Sequence, residues 1–222
     1  MASQVAAISA SVRAEGSEER AQIIPNGNSH LCIWHDSLLQ QREVLRHKFG
    51  WTNKVVVLNV CRFRAAERRY KGLDKYAEVR HEFQFMRPKL AARTVLIVCG
   101  KAELDDVIEM RRYGFEVYGN ITDIEMEEIY MAADIYVNFS QWEGYNLGIG
   151  QALAAGLPVV ASDIAAHRAF PIFTSNGTLD IVEKLSEYAE RVLANQVERK
   201  PLVIDWKPSL EKVEREIVEL CR

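Results

Sequence analysis

The sequence has no apolar run long enough to cross a bilayer, and its first residues lack a signal-peptide pattern. A transmembrane helix needs about 20 consecutive apolar residues, and no such stretch occurs among the 222 residues. A signal peptide places positive charge before an apolar segment, whereas residues 1–20 are rich in Ala, Ser and Glu. We therefore expect a cytoplasmic protein. Peripheral attachment to a membrane is compatible with these features.

The common signatures of metal, redox and hydrolytic sites are also missing. The four cysteines form no CxxC pair, and the five histidines lack metal-ligand spacing. Cys61 and Cys99 each end an apolar run, where a buried, reduced thiol is the usual outcome. GxSxG, Walker A, HExxH and GxGxxG motifs are absent. Their absence argues against serine hydrolases, P-loop enzymes, zinc proteases and classical dehydrogenases.

An excess of basic charge is the third feature that the chain lacks. It has 28 Lys and Arg against 31 Asp and Glu, which gives a formal net charge of −3. Nucleic-acid-binding domains usually carry a basic footprint, so we expect no nucleic-acid partner. With 48% hydrophobic and 27% charged residues, the composition is ordinary for a soluble globular chain with a sizeable core.

What the sequence does contain is a regular alternation of apolar runs and helical patterns. We predict strands at 55–60, 94–99, 115–118, 134–139 and 158–162, and helices at 37–49, 73–92, 103–113, 123–132, 146–155, 179–194 and 208–221. Wholly apolar strands are typical of a parallel sheet covered by helices on both faces. The pattern predicts an α/β fold with a Rossmann-like, doubly wound parallel sheet. Residues 1–21 would be a tail or linker, 22–205 the Rossmann-like domain, and 206–222 a C-terminal helix.

A basic loop follows the first predicted strand. Residues 61–72 contain four arginines and Lys71. Because ligands of this architecture bind beyond the carboxyl ends of the strands, the loop is well placed to neutralise a diphosphate. Alternatively, the loop is a solvent-exposed charged segment in which Glu67 pairs with the arginines. The position of the loop beyond a parallel strand is the feature that favours ligand binding.

A short turn follows the strand predicted at 115–118. It consists of Gly119, Asn120 and Ile121. The glycine lets another group approach the backbone closely, so a planar base can lie against Ile121. Taken alone, a simple turn explains these residues better.

The segment from Ser140 to Asp163 is the most informative part of the chain. Glu143 lies on a Gly-containing turn and can accept hydrogen bonds from sugar hydroxyls. Tyr145, Asn146 and Leu147 open a predicted helix whose N–H groups suit a phosphate. Gln151 lies about two helical turns after Glu143, so both side chains can face one ligand. The alternative, in which Glu143 merely caps the helix, does not explain the basic loop and the glycine turn at neighbouring strand ends.

These features together resemble the nucleotide-sugar-binding C-terminal domain of retaining GT-B glycosyltransferases. The group with the E-x7-E motif, which includes bacterial mannosyl- and glucosyltransferases and sucrose-phosphate synthases, is the most similar. The resemblance covers roughly residues 22–222 and rests on Asn26-Gly27, Arg62, Lys71, Gly119–Ile121, Ser140, Glu143–Leu147, Ala154–Ser162 and Asp205-Trp206.

The resemblance implies a role for each candidate residue. Glu143 would bind the donor sugar, while Arg62 and Lys71 would bind the diphosphate and stabilise its departing charge. The remaining contacts to the nucleotide would come from Gly119, Asn120 and Ile121 at the base, from the amides of Tyr145, Asn146 and Leu147 at the phosphates, and from Gln151 at the ribose. The substrate would be a UDP- or GDP-linked sugar, with neither a metal nor a cofactor required.

Three positions depart from the family pattern. Gln151 stands where the motif usually ends in Glu, so the ribose contact carries no charge. Lys71 comes nine positions after Arg62, which is longer than the usual spacing and gives Arg64, Arg68 or Arg69 room to share the role. Ala169 follows His-Arg where an acidic residue is common.

We therefore expect the donor-binding domain of a retaining glycosyltransferase that transfers a hexose from a UDP- or GDP-sugar and is inactive alone. Roughly 20 residues precede the matched region, too few for a second domain of ~100 residues or more. An N-terminal acceptor-binding domain, in the same or another chain, is the expected partner. A noncatalytic nucleotide-sugar-binding or scaffolding module is the alternative, which Gln151 favours. A GT-B-fold epimerase and a flavodoxin-like regulator fit the motifs less well.

Overall fold

The computed structural model describes residues 6–7, 22–23, 28, 36–205 and 207–220. Asn26, Gly27 and Trp206, which contribute to the resemblance, lie outside the described residues. The secondary structure comprises, in chain order, β1 (Ala6–Ala7), β2 (Gln22–Ile23), α1 (Asp36–Gln40), α2 (Arg42–Lys48), β3 (Val55–Val60), α3 (Leu73–Met86), α4 (Pro88–Ala91), β4 (Thr94–Gly100), α5 (Leu104–Arg112), β5 (Glu116–Gly119), α6 (Asp123–Ala132), β6 (Ile135–Asn138), α7 (Leu147–Ala154), β7 (Val159–Ala161), α8 (Ala165–Arg168), β8 (Phe173–Thr174), α9 (Thr178–Leu193) and α10 (Lys207–Leu220).

Six strands form one parallel sheet in the order β5-β4-β3-β6-β7-β8, while β1 and β2 make a separate two-stranded pair. The chain winds outward from β3 in one direction and from β6 in the other. These two strands therefore flank the switch point of a doubly wound sheet, and the crevice beyond their carboxyl ends is the usual ligand site. The predicted fold class is confirmed.

Helices cover both faces of this sheet, because alternate strand residues point to opposite sides. On one face Val56 and Leu58 pack with residues of α2, α6 and α7. On the other face Val55 and Val57 pack with residues of α3, α5 and α9. All four valine and leucine side chains are fully buried, which accounts for the wholly apolar strand pattern.

The structure differs from the predicted elements in several places, beginning with β1 and β2, which were not predicted. The helix predicted at 37–49 is interrupted at Gln41, whose φ of −90° and ψ of 4° leave the helical region. The helix predicted at 73–92 breaks at Arg87, since proline at position 88 disfavours helical geometry in the preceding residue. The short elements α8 and β8 were not predicted, because four and two residues give no measurable periodicity.

None of the helices in the described part of the chain combines the length and the apolar character needed to cross a bilayer. Cys99 is a buried free thiol, and burial raises its pKa to about 12. The predicted burial is confirmed for Cys99, whereas Cys61, for which burial was also predicted, is only half-buried because it lies just beyond the end of β3.

Candidate functional site at the switch point

The loops after β3 and β6 bring Lys71 and Glu143 together at the switch point. Lys71 Nζ donates to Glu143 Oε1 at 2.8 Å, and the two side chains are 14% and 15% exposed. The residues are 72 positions apart in the chain, so only the order of the strands places them side by side. Because the pair is largely shielded from water, its charges act on a neighbouring group more strongly than surface charges would.

Two close backbone approaches hold Lys71 in this position. Gly72 has a φ of +70°, and a Cβ atom there would lie 1.8 Å from Phe139 O. The Gln141 amide donates to Tyr70 O at 2.9 Å. The loop that carries Lys71 is therefore in direct backbone contact with the loop that leads to Glu143.

Asn146 organises the start of α7, next to Glu143. Its Oδ1 accepts from the Ile149 amide at 3.1 Å, which is the usual N-cap bond. Its Nδ2 lies 3.0 Å from His167 Nε2. The cap thus leaves the first amides of α7, which have no acceptor within the helix, at the edge that carries Glu143.

His167 supports this cap from a fully buried position. Its Nδ1 lies 2.9 Å from Ser162 O, so the ring donates there and accepts from Asn146 through Nε2. Burial lowers the pKa of His167, which keeps the ring neutral and able to accept this bond. His167 was not among the residues predicted for the site, and its position in the segment that follows β7 was the available signal.

Arg62 stays outside this arrangement. Its side chain is 62% exposed and lies 3.3 Å from Glu67, the internal partner considered for the basic loop. Arg68 is drawn to Glu109 on α5 through both of its terminal nitrogens. Arg64 lies 3.5 Å from Glu103. Lys71 is thus the basic side chain of this loop that reaches Glu143.

Gln151 faces α6. Its Oε1 accepts a hydrogen bond from Tyr130 Oη at 3.1 Å. Tyr130 stacks on Tyr136 with 5.9 Å between ring centroids. A Cβ atom at Gly148 would lie 2.2 Å from the Tyr136 hydroxyl, so α7 approaches β6 as closely as a glycine allows.

The predicted base-binding turn lies farther along the same edge. β5 is the third strand from β6, a separation of about 14 Å at the usual strand spacing. Asn120 has a φ of 58°, and its side chain donates to Ala102 O at 2.8 Å. The turn is therefore fixed against the loop after β4, with Ile121 half-buried beside it.

Two hydroxyl groups near the pair are buried without a hydrogen-bond partner among the described residues. They are Ser140 Oγ and Tyr145 Oη. Ser140 also lines a cavity of about 350 Å³ beside Gly72 and Gln141. Unpaired buried polar atoms are uncommon in folded proteins, and both of these lie on the segment that carries Glu143.

The described residues contain no group of three or more His, Cys, Asp or Glu side chains arranged to hold a metal ion. The polar groups of the site are one ammonium, one carboxylate, amide and hydroxyl groups and the start of α7. Such a set suits a ligand that carries both hydroxyl groups and negative charge.

Several solved glycosyltransferases share this fold. They include WaaG, a glycosyltransferase involved in lipopolysaccharide biosynthesis (19% identity, TM-score 0.66, 87% of this chain and 55% of that one). Anabaena HepE, solved with UDP and glucose, matches with 20% identity, a TM-score of 0.71 and coverage of 99% and 64%. Sucrose-phosphate synthase from Thermosynechococcus elongatus matches with 19% identity, a TM-score of 0.68 and coverage of 97% and 57%. This chain thus spans only part of their length.

A search of curated proteins finds no match to the chain. The family model described as "Glycosyl transferases group 1" matches residues 54–195. This match includes the whole six-stranded sheet, the Lys71–Glu143 pair and the cap of α7. Since it spans more than half of the chain, the protein belongs to the glycosyl transferases group 1, and its fold is one Rossmann-like half of a GT-B glycosyltransferase.

Proposed function

We propose that this chain binds the nucleotide-sugar donor of a retaining glycosyltransferase, which transfers a hexose from a UDP- or GDP-sugar to an acceptor. The observation that carries the proposal is the shielded Lys71–Glu143 pair at the switch point of the sheet. Anabaena HepE, which shares the fold, was solved with UDP-glucose, and this supports the choice of ligand class.

Lys71 is suited to the diphosphate. An ammonium group has three N–H donors, and one of them is used by Glu143 Oε1. The others can reach phosphate oxygens without breaking the pair. As the bond between sugar and diphosphate breaks, negative charge grows on the leaving oxygen, and a fixed cation at that point stabilises the transition state.

Glu143 is suited to the sugar. Lys71 occupies Oε1, and Oε2 has no recorded partner among the described residues. A carboxylate oxygen accepts from sugar hydroxyls, and such charge-assisted hydrogen bonds are stronger than neutral ones. In this arrangement Glu143 orients the hexose while Lys71 fixes the diphosphate, so the bond to be broken lies between them.

The rest of the donor would extend along the same edge. The amides of Tyr145, Asn146 and Leu147 would meet the phosphates, and Gln151 Nε2 would meet the ribose. Gly119, Asn120 and Ile121 would receive the base. Arg62 would add a solvent-exposed positive charge near the diphosphate.

Transfer requires an acceptor-binding domain, supplied by the same or another chain. The solved relatives are longer than this chain, which covers 55–64% of the three compared above. We propose that the isolated chain binds donor and transfers little or no sugar. Any association with a membrane surface would run through that other domain.

Titration calorimetry of the chain with UDP-, GDP- and ADP-glucose tests the proposal. We expect saturable binding of UDP- or GDP-glucose and weaker binding in a Glu143→Gln variant. That variant replaces the carboxylate with an amide of similar shape, so a loss reports the charge. If folded protein binds none of the three sugars, the donor-binding proposal is wrong.

A noncatalytic nucleotide-sugar-binding module is the second candidate, and Gln151 favours it. An amide replaces the charged residue that ends the family motif, and its oxygen is already occupied by Tyr130. A Gln151→Glu variant tests whether residue 151 contacts the ribose of the donor. Stronger donor binding in this variant indicates a ribose contact, whereas unchanged binding leaves Gln151 with a structural role at α6.

A further inference from the structure

A second cavity lies at the opposite, amino-terminal edge of the sheet. Its volume is about 510 Å³, within the usual range for small-molecule sites. Lys54, Arg93 and Asp134 contribute to its lining, and each directly precedes a parallel strand. The cavity is therefore separated from the Lys71–Glu143 pair by the length of the sheet.

The walls of this cavity carry more positive than negative charge. Five cationic residues line it (Arg42, Arg46, Lys54, Arg93 and Arg199), against the carboxylates of Glu43 and Asp134. Asp134 is already shared, because it accepts from Arg42 and lies 3.0 Å from Arg46. The Glu43 side chain is 77% exposed, so it compensates little of the buried charge.

Arg199 is held by neutral groups. Its terminal nitrogens donate to Tyr130 O and Met131 O, and among the described residues no carboxylate lies within 4 Å of it. Its Nε, like that of Arg42, is buried without a hydrogen-bond partner in the described part of the chain. Burial, together with repulsion from Arg42 and Arg46, lowers the pKa of Arg199 to about 9.

Part of this arrangement has a structural explanation. Arg199 bonds the last carbonyls of α6, and Arg46 donates to Ala132 O at 2.8 Å. Cations at a helix C-terminus satisfy free carbonyls and interact well with the helix dipole. That role accounts for the placement of the guanidinium groups. Lys54 has a similar role, since its Nζ donates to Ala92 O at 3.1 Å, just after α4. Arg93 and the excess charge around the cavity are left unexplained.

We propose that the cavity at the amino-terminal edge binds a phosphorylated small molecule, independently of the nucleotide-sugar donor. A phosphate dianion would compensate Arg199 and Arg93, and guanidinium groups match phosphate geometry. The cavity has room for more than an inorganic ion, and Asn53 and Asn195 on its rim supply amide groups for hydroxyls. A phosphorylated sugar or polyol fits this combination.

Calorimetric titrations of the whole chain at constant ionic strength test the site, with inorganic phosphate, glucose 6-phosphate and glucose as probes. Saturating UDP is included to fill the donor site. We expect glucose 6-phosphate to bind most tightly, phosphate more weakly and glucose not at all. Absence of glucose 6-phosphate binding, or equal affinity for glucose, overturns the proposal.

Two variants locate the binding. Arg93→Gln removes a cation with an exposed side chain, so the fold is expected to persist. We expect about a tenfold loss of affinity for glucose 6-phosphate, as for a lost charge-assisted hydrogen bond. Arg112→Gln, at an exposed arginine that ends α5 and does not line this cavity, is the matched control. Equal affinities of the Arg93 and Arg112 variants contradict the site.

A Lys71→Met variant, measured without UDP, separates this site from the donor site. Its affinity for glucose 6-phosphate should equal that of the unmodified protein, because the two sites lie at opposite edges of the sheet. If Lys71→Met abolishes this binding while Arg93→Gln leaves it intact, the phosphate binds at the switch point and the proposal fails.

Discussion

The two edges of the sheet use charge in different ways. At the amino-terminal edge, Arg42 and Arg46 converge on one buried carboxylate, Asp134, which also accepts from the Val56 amide at 2.8 Å. At the carboxyl edge, Lys71 pairs with Glu143, and three arginines of the same loop pair with other carboxylates.

The difference indicates that charge at the amino-terminal edge stabilises the fold and that charge at the carboxyl edge binds the donor. Asp134 is joined to two arginines and a strand amide, so the fold depends on its charge. Among the described residues, Glu143 pairs with Lys71 through one oxygen, so its second oxygen and the start of α7 can contact a ligand. Loss of the Asp134 charge should therefore change stability, whereas loss of the Lys71 or Glu143 charge should change donor binding.

The largest effect is expected at Asp134. Asp134→Asn leaves Arg46, which is 5% exposed, without its counter-charge. Removing one partner of a buried pair costs about 3–5 kcal/mol. Urea denaturation measures this loss, and the affinity of the folded fraction for UDP should stay unchanged. Glu43→Gln, at an exposed partner of Arg42, is the control and should cost about 0–1 kcal/mol. If Asp134→Asn lowers UDP affinity and leaves stability unchanged, Asp134 acts in donor binding rather than in the fold.

Gly72→Ala should destabilise the carboxyl edge through sterics rather than charge. Its Cβ would overlap Phe139 O at a φ of +70°. We expect a loss of about 3 kcal/mol or more, because backbone atoms must move. Gly50 has a φ of +74° and open space around its Cβ position, so Gly50→Ala should cost only about 1–2 kcal/mol. Equal losses for the two alanines would show that the backbone approach at Gly72 is not tight.

His167 should make the carboxyl edge sensitive to acid. Burial lowers the pKa of His167 in the folded protein, whereas a histidine in the unfolded chain has a pKa of about 6.5. The stabilising contribution is therefore complete above that value and is lost as the pH falls towards the folded pKa. Denaturation between pH 7 and 5.5 should show a steeper loss for the unmodified protein than for His167→Gln. His81→Gln, at a side chain 79% exposed, should keep the original slope.

The smallest effect on stability is expected at Arg62. Arg62→Ala should change the free energy of unfolding by less than about 0.5 kcal/mol, as for most surface substitutions. UDP affinity should fall about fivefold, since a solvated cation contributes about 1 kcal/mol at 4 Å from an opposite charge. Arg112→Ala serves as the control. Unchanged UDP affinity would show that Arg62 contacts Glu67 and does not contribute to donor binding.

Much of the fold follows from the sequence, because its strands are apolar throughout. The predicted bounds of β3 match the structure, and Asp123–Ala132 forms the predicted helix. Short or interrupted elements escaped prediction. The first predicted helix breaks at Gln41, and the two residues of β8 depend on pairing with β7 rather than on a pattern of their own.

The sequence placed the site in the loops that follow the predicted strands, but it did not give the geometry. Lys71 and Glu143 were predicted in two of these loops, and the structure shows that the two side chains are in contact. The partners of Arg62 and Arg68 depend on loop conformation, which local patterns do not fix. The arginine cluster at the other edge was not predicted, because Arg42 and Arg199 are far apart in the chain and each lies in an ordinary polar context.

Calorimetry of Lys71→Met with UDP and with uridine tests the central claim most directly. The claim is that Lys71, at the switch point, binds the diphosphate of the donor. Losing a hydrogen bond to a charged group costs about 1.5–3 kcal/mol, so UDP affinity should fall by about tenfold to a hundredfold. Uridine affinity should stay within about twofold of the original. Equal losses for UDP and uridine, or unchanged UDP affinity, would contradict the account.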